Sequence, residues 1–423
     1  MIRIYLDWNA YSRIKHSNVS PYPELRNILL DENQYLFPFS TAHILDIYES
    51  YVKVGWANIQ GHIESLSLSN GLLIQKPFGE DIGFYIKPPT ETIKAHIQER
   101  NSLETFGENI NKGNHHVIDY FPETTKFLKE QEEHSKQMDK IISGFQGLLN
   151  SFLSSETKET YQKEMNISKG TLLNKNTDPS NYLNENASSK GFKDFKDFNE
   201  WGLSNFKQTP DFLDEITSLF VGIDISGYKE DKNSIKSTIT DSMHCAFASA
   251  CDIFIVDDKN TYYKSIETYK LKGIQTKVFR PSNFVEYWNA NHLVLKNGME
   301  LIDFAFNYSK TNEQLTTLND ENIYYLNHYI LDFFNILSTD KTNEHEIKFY
   351  KYFGNNYLFL LPQEKEDLLI KINNMFGEPK LITDTWMENG ILKSAWIFNE
   401  LDLIKLTIED SHAILSFIKC EKT

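Results

Sequence analysis

A chain of 423 residues can form two or three domains with separate cores, and 13% aromatic residues, among them 29 Phe and 22 Tyr, supply enough apolar area to fold them; a disordered protein is excluded. The formal charge of −16 excludes a broad basic surface that coats nucleic acid and leaves room only for local phosphate contacts. Three cysteines, Cys245, Cys251 and Cys420, are too few and too irregularly spaced for a disulfide framework or a zinc site.

Met1 runs directly into a strand pattern, without a basic segment, apolar core and cleavage site. No apolar run approaches the roughly 20 residues that a membrane span needs, so a cytoplasmic protein without membrane association is expected. Residues 2 to 6, IRIYL, predict a short buried strand that stops on Asp7, and WNAYSRIK begins a helix that Pro21 and Pro23 break. YLFPF at 35 to 39 is a second apolar stretch, and either Ser40 or Thr41 can cap the helix after it. In that helix Ile44, Ile47, Tyr51 and Val54 predict the core face, while Asp46 and Glu49 fall on another.

Residues 90 to 235 are polar and mostly helical in pattern and read as an insertion, with NKNTDPSNYLNENASSKG as a long loop inside it. Strand and helix periodicity then resumes. A helix through STITDSMHCAFASA leads to the strand DIFIV, which ends at Asp257 and Asp258, and a further helix leads to the strand TKVF. From 291 to 423 the pattern changes to a separate α+β domain. Helices are expected at MELIDFAFNY, NIYYLNHYILDFFNIL and QEKEDLLIKINNMF, strands at IKFYKYF and NYLFLL, and a strand meander from ILKSAWIF onward. Trp386 and Trp396 in that domain read as core packing or as a surface for a protein partner.

Each acid in the first part has an ordinary structural reading when taken alone. Asp7 can form an Asx-turn that caps a helix. Asp46 and Glu49 can lie on a solvated helix face. Asp241, three residues after Thr238, can complete a capping box in a first helical turn, and Asp257-Asp258 can be a turn. Together they suggest more, because function in a parallel α/β sheet gathers beyond the carboxyl ends of the strands, and all four segments can reach that edge. Carboxylates brought close together repel and raise one another's pKa, a conflict that a bound cation removes; hard oxygen donors favour Mg²⁺ or Mn²⁺ over zinc.

IYLDWNAYSRI, FSTAHILDIYE, DSMHCAFASACD and IFIVDDKN resemble, in that order, the four acidic motifs of PIN-domain ribonucleases. The resemblance covers roughly residues 1 to 75 and 235 to 290, and implies a parallel sheet flanked by helices, interrupted by the long insertion. It implies Asp7, Asp46, Asp241 and Asp258 as catalytic metal ligands, with Asn9 and Ser40 at the small polar positions that support them. Two departures stand out. The family's second acid is usually Glu, so Asp46 is a methylene shorter and Glu49 is a substitute one turn on. The fourth motif has two adjacent acids; spacing favours Asp258 over Asp257, and neighbouring strand residues point to opposite faces.

The activity so implied is metal-dependent phosphodiester hydrolysis, with RNA favoured over DNA, by in-line attack of a metal-activated water. His43 and His244, each three residues from its acid, can contact phosphate or carry a proton, or can simply pair with the neighbouring carboxylate. Arg13 and Lys15 after the first acid, and Lys259, Lys264, Lys270, Lys272, Lys277 and Arg280 after the fourth, form a local basic zone suited to a phosphate backbone; a solvated helix face explains them as well. Trp8, Tyr262 and Tyr263 can stack on bases. A nuclease with a private accessory domain fits a toxin or antiphage effector. The competing readings are a non-catalytic PIN-like scaffold and a haloacid-dehalogenase-like phosphatase, which normally wants a second Asp where this chain has Asn9.

Overall fold

The computed structural model describes residues 1–30, 34–76, 82–98, 179–189, 191–204, 212–225, 228–229, 235–293, 295–312, 316–318, 321–340, 346–352, 360–388, 391–399, 404–409 and 412–418. The protein is α/β, with a parallel four-stranded sheet flanked by helices and a separate antiparallel sheet.

The first strand, β1 (Ile2–Leu6), is buried at all five positions, as a strand covered on both faces must be. Its side chains alternate between two cores. Ile2, Ile4 and Leu6 pack with α1 (Trp8–Ile14) and α2 (Tyr22–Leu30), whereas Tyr5 joins Phe220, Ala246 and Phe254 on the other face. The apolar stretch 35–40 is split in two around Phe37 and Pro38. Its first half, β2 (Tyr35–Leu36), pairs parallel with β1, and its second half, β3 (Phe39–Ser40), pairs parallel with β4 (Leu72–Gln75). A short β5 (Gly83–Ile86) closes that edge antiparallel.

Between β3 and β4 lie α3 (Thr41–Val54) and α4 (Gln60–Ser65). Ile44 and Ile47 are buried on α3 and Tyr51 is half-buried, but Val54, expected on the core face, is the last residue of the helix and is 49% exposed. Residues 89–98 are helical, and the insertion from 99 to 178 lies outside the described residues. The expected loop at 174–191 is corrected. Residues Pro179–Ser189 form a helix, α5, where Leu183 and Ala187, four apart, are buried and outweigh the poor intrinsic propensity of Asn and Ser. Helices α6 (Phe195–Ser204) and α7 (Phe212–Ile225) follow.

Helix α8 (Ile235–Ala248) leads into β6 (Ile253–Ile255), α9 (Lys259–Lys272), β7 (Lys277–Phe279) and α10 (Pro281–Asn291). The parallel sheet is ordered β2-β1-β6-β7, with Leu6 opposite Ile255 and Ile255 opposite Phe279. Because α8 begins at Ile235, Asp241 stands in its second turn and the capping box with Thr238 does not form; Thr238 Oγ1 instead donates to buried Asp224 (3.4 Å).

The antiparallel sheet follows α11 (Gly298–Thr311). It contains β8 (Thr316–Leu318), β9 (Glu321–Ile330), β10 (Phe334–Asp340), β11 (Glu346–Tyr352), and, after α12 (Pro362–Phe376), β12 (Leu381–Glu388), β13 (Ile391–Asn399), β14 (Ile404–Ile408) and β15 (His412–Ile418). The helix expected over 322–337 is thus a hairpin. Leu331 and Asp332, both at positive φ, make its turn, and burial of Tyr324 and Leu326 with exposure of Tyr325 follows period two in an aromatic-rich stretch. The strand expected at NYLFLL lies mostly outside the described residues; its last two residues lead into α12, which starts on Pro362. Leu301, Ala305, Leu368 and Ile372 from the two helices bury the inner face of this sheet.

This second unit docks on the amino ends of β1 and β6. Arg3 is buried and donates from Nε (2.7 Å) and Nη2 to the buried Glu364 carboxylate of α12, and Lys351 donates to Asp252 just before β6 (2.7 Å). Lys277, expected at a phosphate-facing surface, is at this junction instead, where it donates to Tyr287 Oη and the Leu326 carbonyl; burial pulls it down to about 8. Among the described residues no helix is long and apolar enough to cross a membrane.

Candidate functional site

The opposite, carboxyl end of the sheet carries the acids. Asp7 follows β1 in extended conformation and caps α1. Its Oδ1 accepts from the Ala10 amide (2.7 Å) and its Oδ2 from the Asp257 amide (3.0 Å). The Asx-turn reading of Asp7 is therefore correct, but it does not exhaust the residue. Burial raises the carboxyl from 3.8 to about 6, against the pull of these amides and of His244, and the Asp257 charge adds to the rise.

Ser40 caps α3, its Oγ accepting from the Ala42 amide (3.2 Å), and His43 completes the cap from the third helical position. His43 Nδ1 accepts from the Ser40 amide (3.0 Å) and Nε2 donates to the Leu6 carbonyl (2.8 Å). Both ring nitrogens are thereby committed. Burial, and then the charge of His244, holds this imidazole well below 6.5, so it is a neutral structural group.

His244 differs. Its Nε2 donates to Asp46 Oδ2 (2.8 Å) across the α3–α8 contact, and its Nδ1 lies 2.9 Å from the Tyr5 hydroxyl, which in turn lies 2.5 Å from Ser40 Oγ. Burial alone would lower the imidazole. The bond to Asp46 and the charges of Asp46, Asp7 and Asp241 overcome that and raise it, so three of the four expected acids act electrostatically on one histidine. Tyr5 is the linking residue that sequence reasoning missed; its signal was the one hydroxyl in the run IRIYL.

Asp258 caps α9 through Oδ1 to the Thr261 amide (2.7 Å), whereas Asp257 is the one whose amide meets Asp7 and whose carboxylate receives Arg13 and Arg280. The two adjacent acids do point apart, and Asp257 rather than Asp258 is tied to Asp7. Glu49 is half-buried on α3, and Asn9 is exposed on the first turn of α1.

The basic zone is smaller than expected. Lys264 is fully buried and donates to the equally buried Asp224 (2.9 Å), so it is no surface contact for nucleic acid. Lys15 ties α1 to α4 and the turn after it, donating to the Glu64 carbonyl (3.0 Å) and Ser67 Oγ (2.6 Å), and Lys272 pairs with Glu215. Lys259 and Lys270 are exposed. Trp8 is half-buried edge-on to His62, Tyr262 packs into the core beside Phe220, and Tyr263 lies under Lys229.

Among the described residues no three His, Cys, Asp or Glu side chains converge tightly enough to hold one metal ion between them. Both oxygens of Asp7 and Oδ2 of Asp46 each hold one protein donor, and a carboxylate oxygen can accept a second. That donor set fits a dication such as Mg²⁺, which keeps several waters and takes one or two carboxylates, and does not fit an all-protein cage. Compared with known proteins, the chain matches no family model, no curated protein and no solved structure.

Proposed function

We propose that the protein is a PIN-like, Mg²⁺- or Mn²⁺-dependent nuclease, with RNA as the favoured substrate. The observation that carries this reading is Asp7, a buried carboxyl raised to about 6 at the end of the central strand, beside the Asp46–His244 pair and the Asp257 amide. A buried carboxylate whose ionisation is unfavourable is one whose charge a cation would stabilise. The strand order supports the same reading. Read through the broken stretch 35–40, the parallel strands run β4, β3 with β2, β1, β6, β7, with the acids of the first and fourth motifs on the two central neighbours.

In this mechanism Asp7 is the principal metal-holding carboxylate, with Asp46 and Asp241 adding charge to the same cleft. A bound dication supplies Lewis-acid chemistry at the phosphate and a more acidic water. His244 keeps a proton on Nε2 against Asp46 and fixes that carboxylate's orientation, while Tyr5 and Ser40 hold the far side of the ring. His43 takes no part beyond capping α3.

A non-catalytic scaffold is favoured by one observation, that the acids already hold protein donors. Cleavage decides between the two. Labelled single-stranded RNA and DNA are incubated with wild type, Asp7→Asn and Asp241→Asn in Mn²⁺, Mg²⁺ and EDTA. The nuclease reading expects cutting that needs metal and drops at least about 100-fold in Asp7→Asn, the scale on which loss of one electrostatic catalytic group is felt. No cutting in any condition leaves the scaffold.

A further inference from the structure

The parallel neighbours β1, β6 and β7 deliver three charged side chains to one place at their carboxyl ends. Arg13 comes from the last turn of α1, Asp257 from the residues after β6, and Arg280 from the position between β7 and α10. Arg13 Nη1 donates to Asp257 Oδ2, and Arg280 Nη2 stands 3.6 Å from Asp257 Oδ1. The first is a charge-assisted hydrogen bond. The second is too long to be one, so Arg280 is attracted to Asp257 without spending a donor on it.

Arg280 is under-used in a further respect, since its Nε is shielded from solvent and has no hydrogen-bond partner. The exposures are ordered in the same sense: the side chains of Arg13 and Arg280 are 53% and 33% exposed, and that of the carboxylate between them 14%. Of the basic residues after the fourth motif, Lys264, Lys272 and Lys277 are consumed by Asp224, Glu215 and the junction with the second unit. Lys259 and Lys270 stay exposed on α9, whereas Arg13 and Arg280 meet at Asp257, whose amide reaches Asp7. The planar forks of the two arginines suit the oxygens of a phosphodiester, which can accept from both at once.

We infer that Arg13 and Arg280 form a phosphate-holding pair for a single-stranded nucleic-acid backbone, and that the Asp257 carboxylate stands in for the phosphate between the two guanidiniums until a phosphate displaces it. This rests on the nuclease reading and names the groups that recognise its substrate. It makes Asp257 an internal competitor that occupies the arginines when no phosphate is bound.

The test measures binding of a short fluorescein-labelled single-stranded RNA in EDTA, where cleavage is off, across a potassium chloride series. Arg13→Ala and Arg280→Ala are each expected to weaken binding about tenfold, the scale of one charged hydrogen bond. Each should also make the slope of log affinity against log salt shallower by about 0.7, the signature of one lost contact to a single strand. Arg→Lys at either position keeps the slope and loses part of the affinity, which a folding defect would not do. Asp257→Asn is expected to bind more tightly than wild type, because it frees both forks and removes a like charge from the phosphate's path. Wild-type affinity and slope in both alanine variants would overturn the pair while leaving metal-dependent cleavage standing. A weakened Asp257→Asn would overturn the competing role. A wild type that neither binds nor cuts RNA would overturn this inference together with the reading beneath it.

Discussion

The two ends of the parallel sheet are both rich in charge and handle it in opposite ways. At the amino end the buried Arg3 and Lys351 each have an acid in contact, Glu364 and Asp252, and these pairs join the two units. At the carboxyl end Asp7, Asp46 and Asp241 all act on one buried imidazole, and Asp7 is left with backbone amides alone and a carboxyl that resists ionisation. The first arrangement is closed and structural. The second leaves a charge imbalance that a cation and a phosphate would complete, and this difference separates attachment from function.

The largest effect that sharpens the comparison is expected at the closed end. Glu364→Ala removes the buried carboxylate that Arg3 pairs with and should destabilise the protein by about 3–5 kcal/mol, read from urea unfolding. A loss under 1 kcal/mol would mean that Arg3 reaches water and the junction is open.

At the other end the sign reverses. Asp7 has a higher pKa folded than unfolded, so between pH 3.8 and about 6 the folded state binds more protons and stability falls as pH rises. The full difference is worth about 3 kcal/mol by the usual conversion, and it should vanish from the pH profile of Asp7→Asn. His244 adds to the same trend. Its folded pKa is raised, so its contribution is complete below the ordinary value of 6.5 and is lost as pH climbs through the raised one; His244→Gln should flatten the profile in that upper window. A profile that rises with pH across both windows would contradict both assignments.

The smallest effect concerns Ser40, which caps α3 and touches Tyr5. Ser40→Ala should cost about 1 kcal/mol and lower the apparent affinity for metal only through Asp46, so a complete loss of cleavage in that variant would move Ser40 into the reacting site.

How far these features could be read in advance depends on the range of the interaction. IRIYL, its terminal Asp7 and the helix after it follow from a short apolar run and a local cap, as do the Ser40 cap and the strands at 253 and 277. NIYYLNHYI failed as a helix because its aromatic residues satisfy both periods over so short a window, and only the partner strands select period two. Lys264 reads as surface because Asp224 is 40 residues away and gives no local sign of the pair. The bond from the Asp257 amide to Asp7 likewise gives no local sign, since it spans 250 residues. The proximity of Asp7, Asp46 and Asp241 was legible from topology alone, since all three follow or precede parallel strands.

The measurement that tests the contrast most directly is the thermal unfolding midpoint at pH 7.5 as Mn²⁺ is added to wild type, Asp7→Asn and Glu364→Ala. Binding to the folded state raises the midpoint by mass action, so wild type and Glu364→Ala should both rise with Mn²⁺ while Asp7→Asn stays flat. Equal rises in all three, or no rise in wild type, would contradict the assignment of the carboxyl end as a cation-completed site.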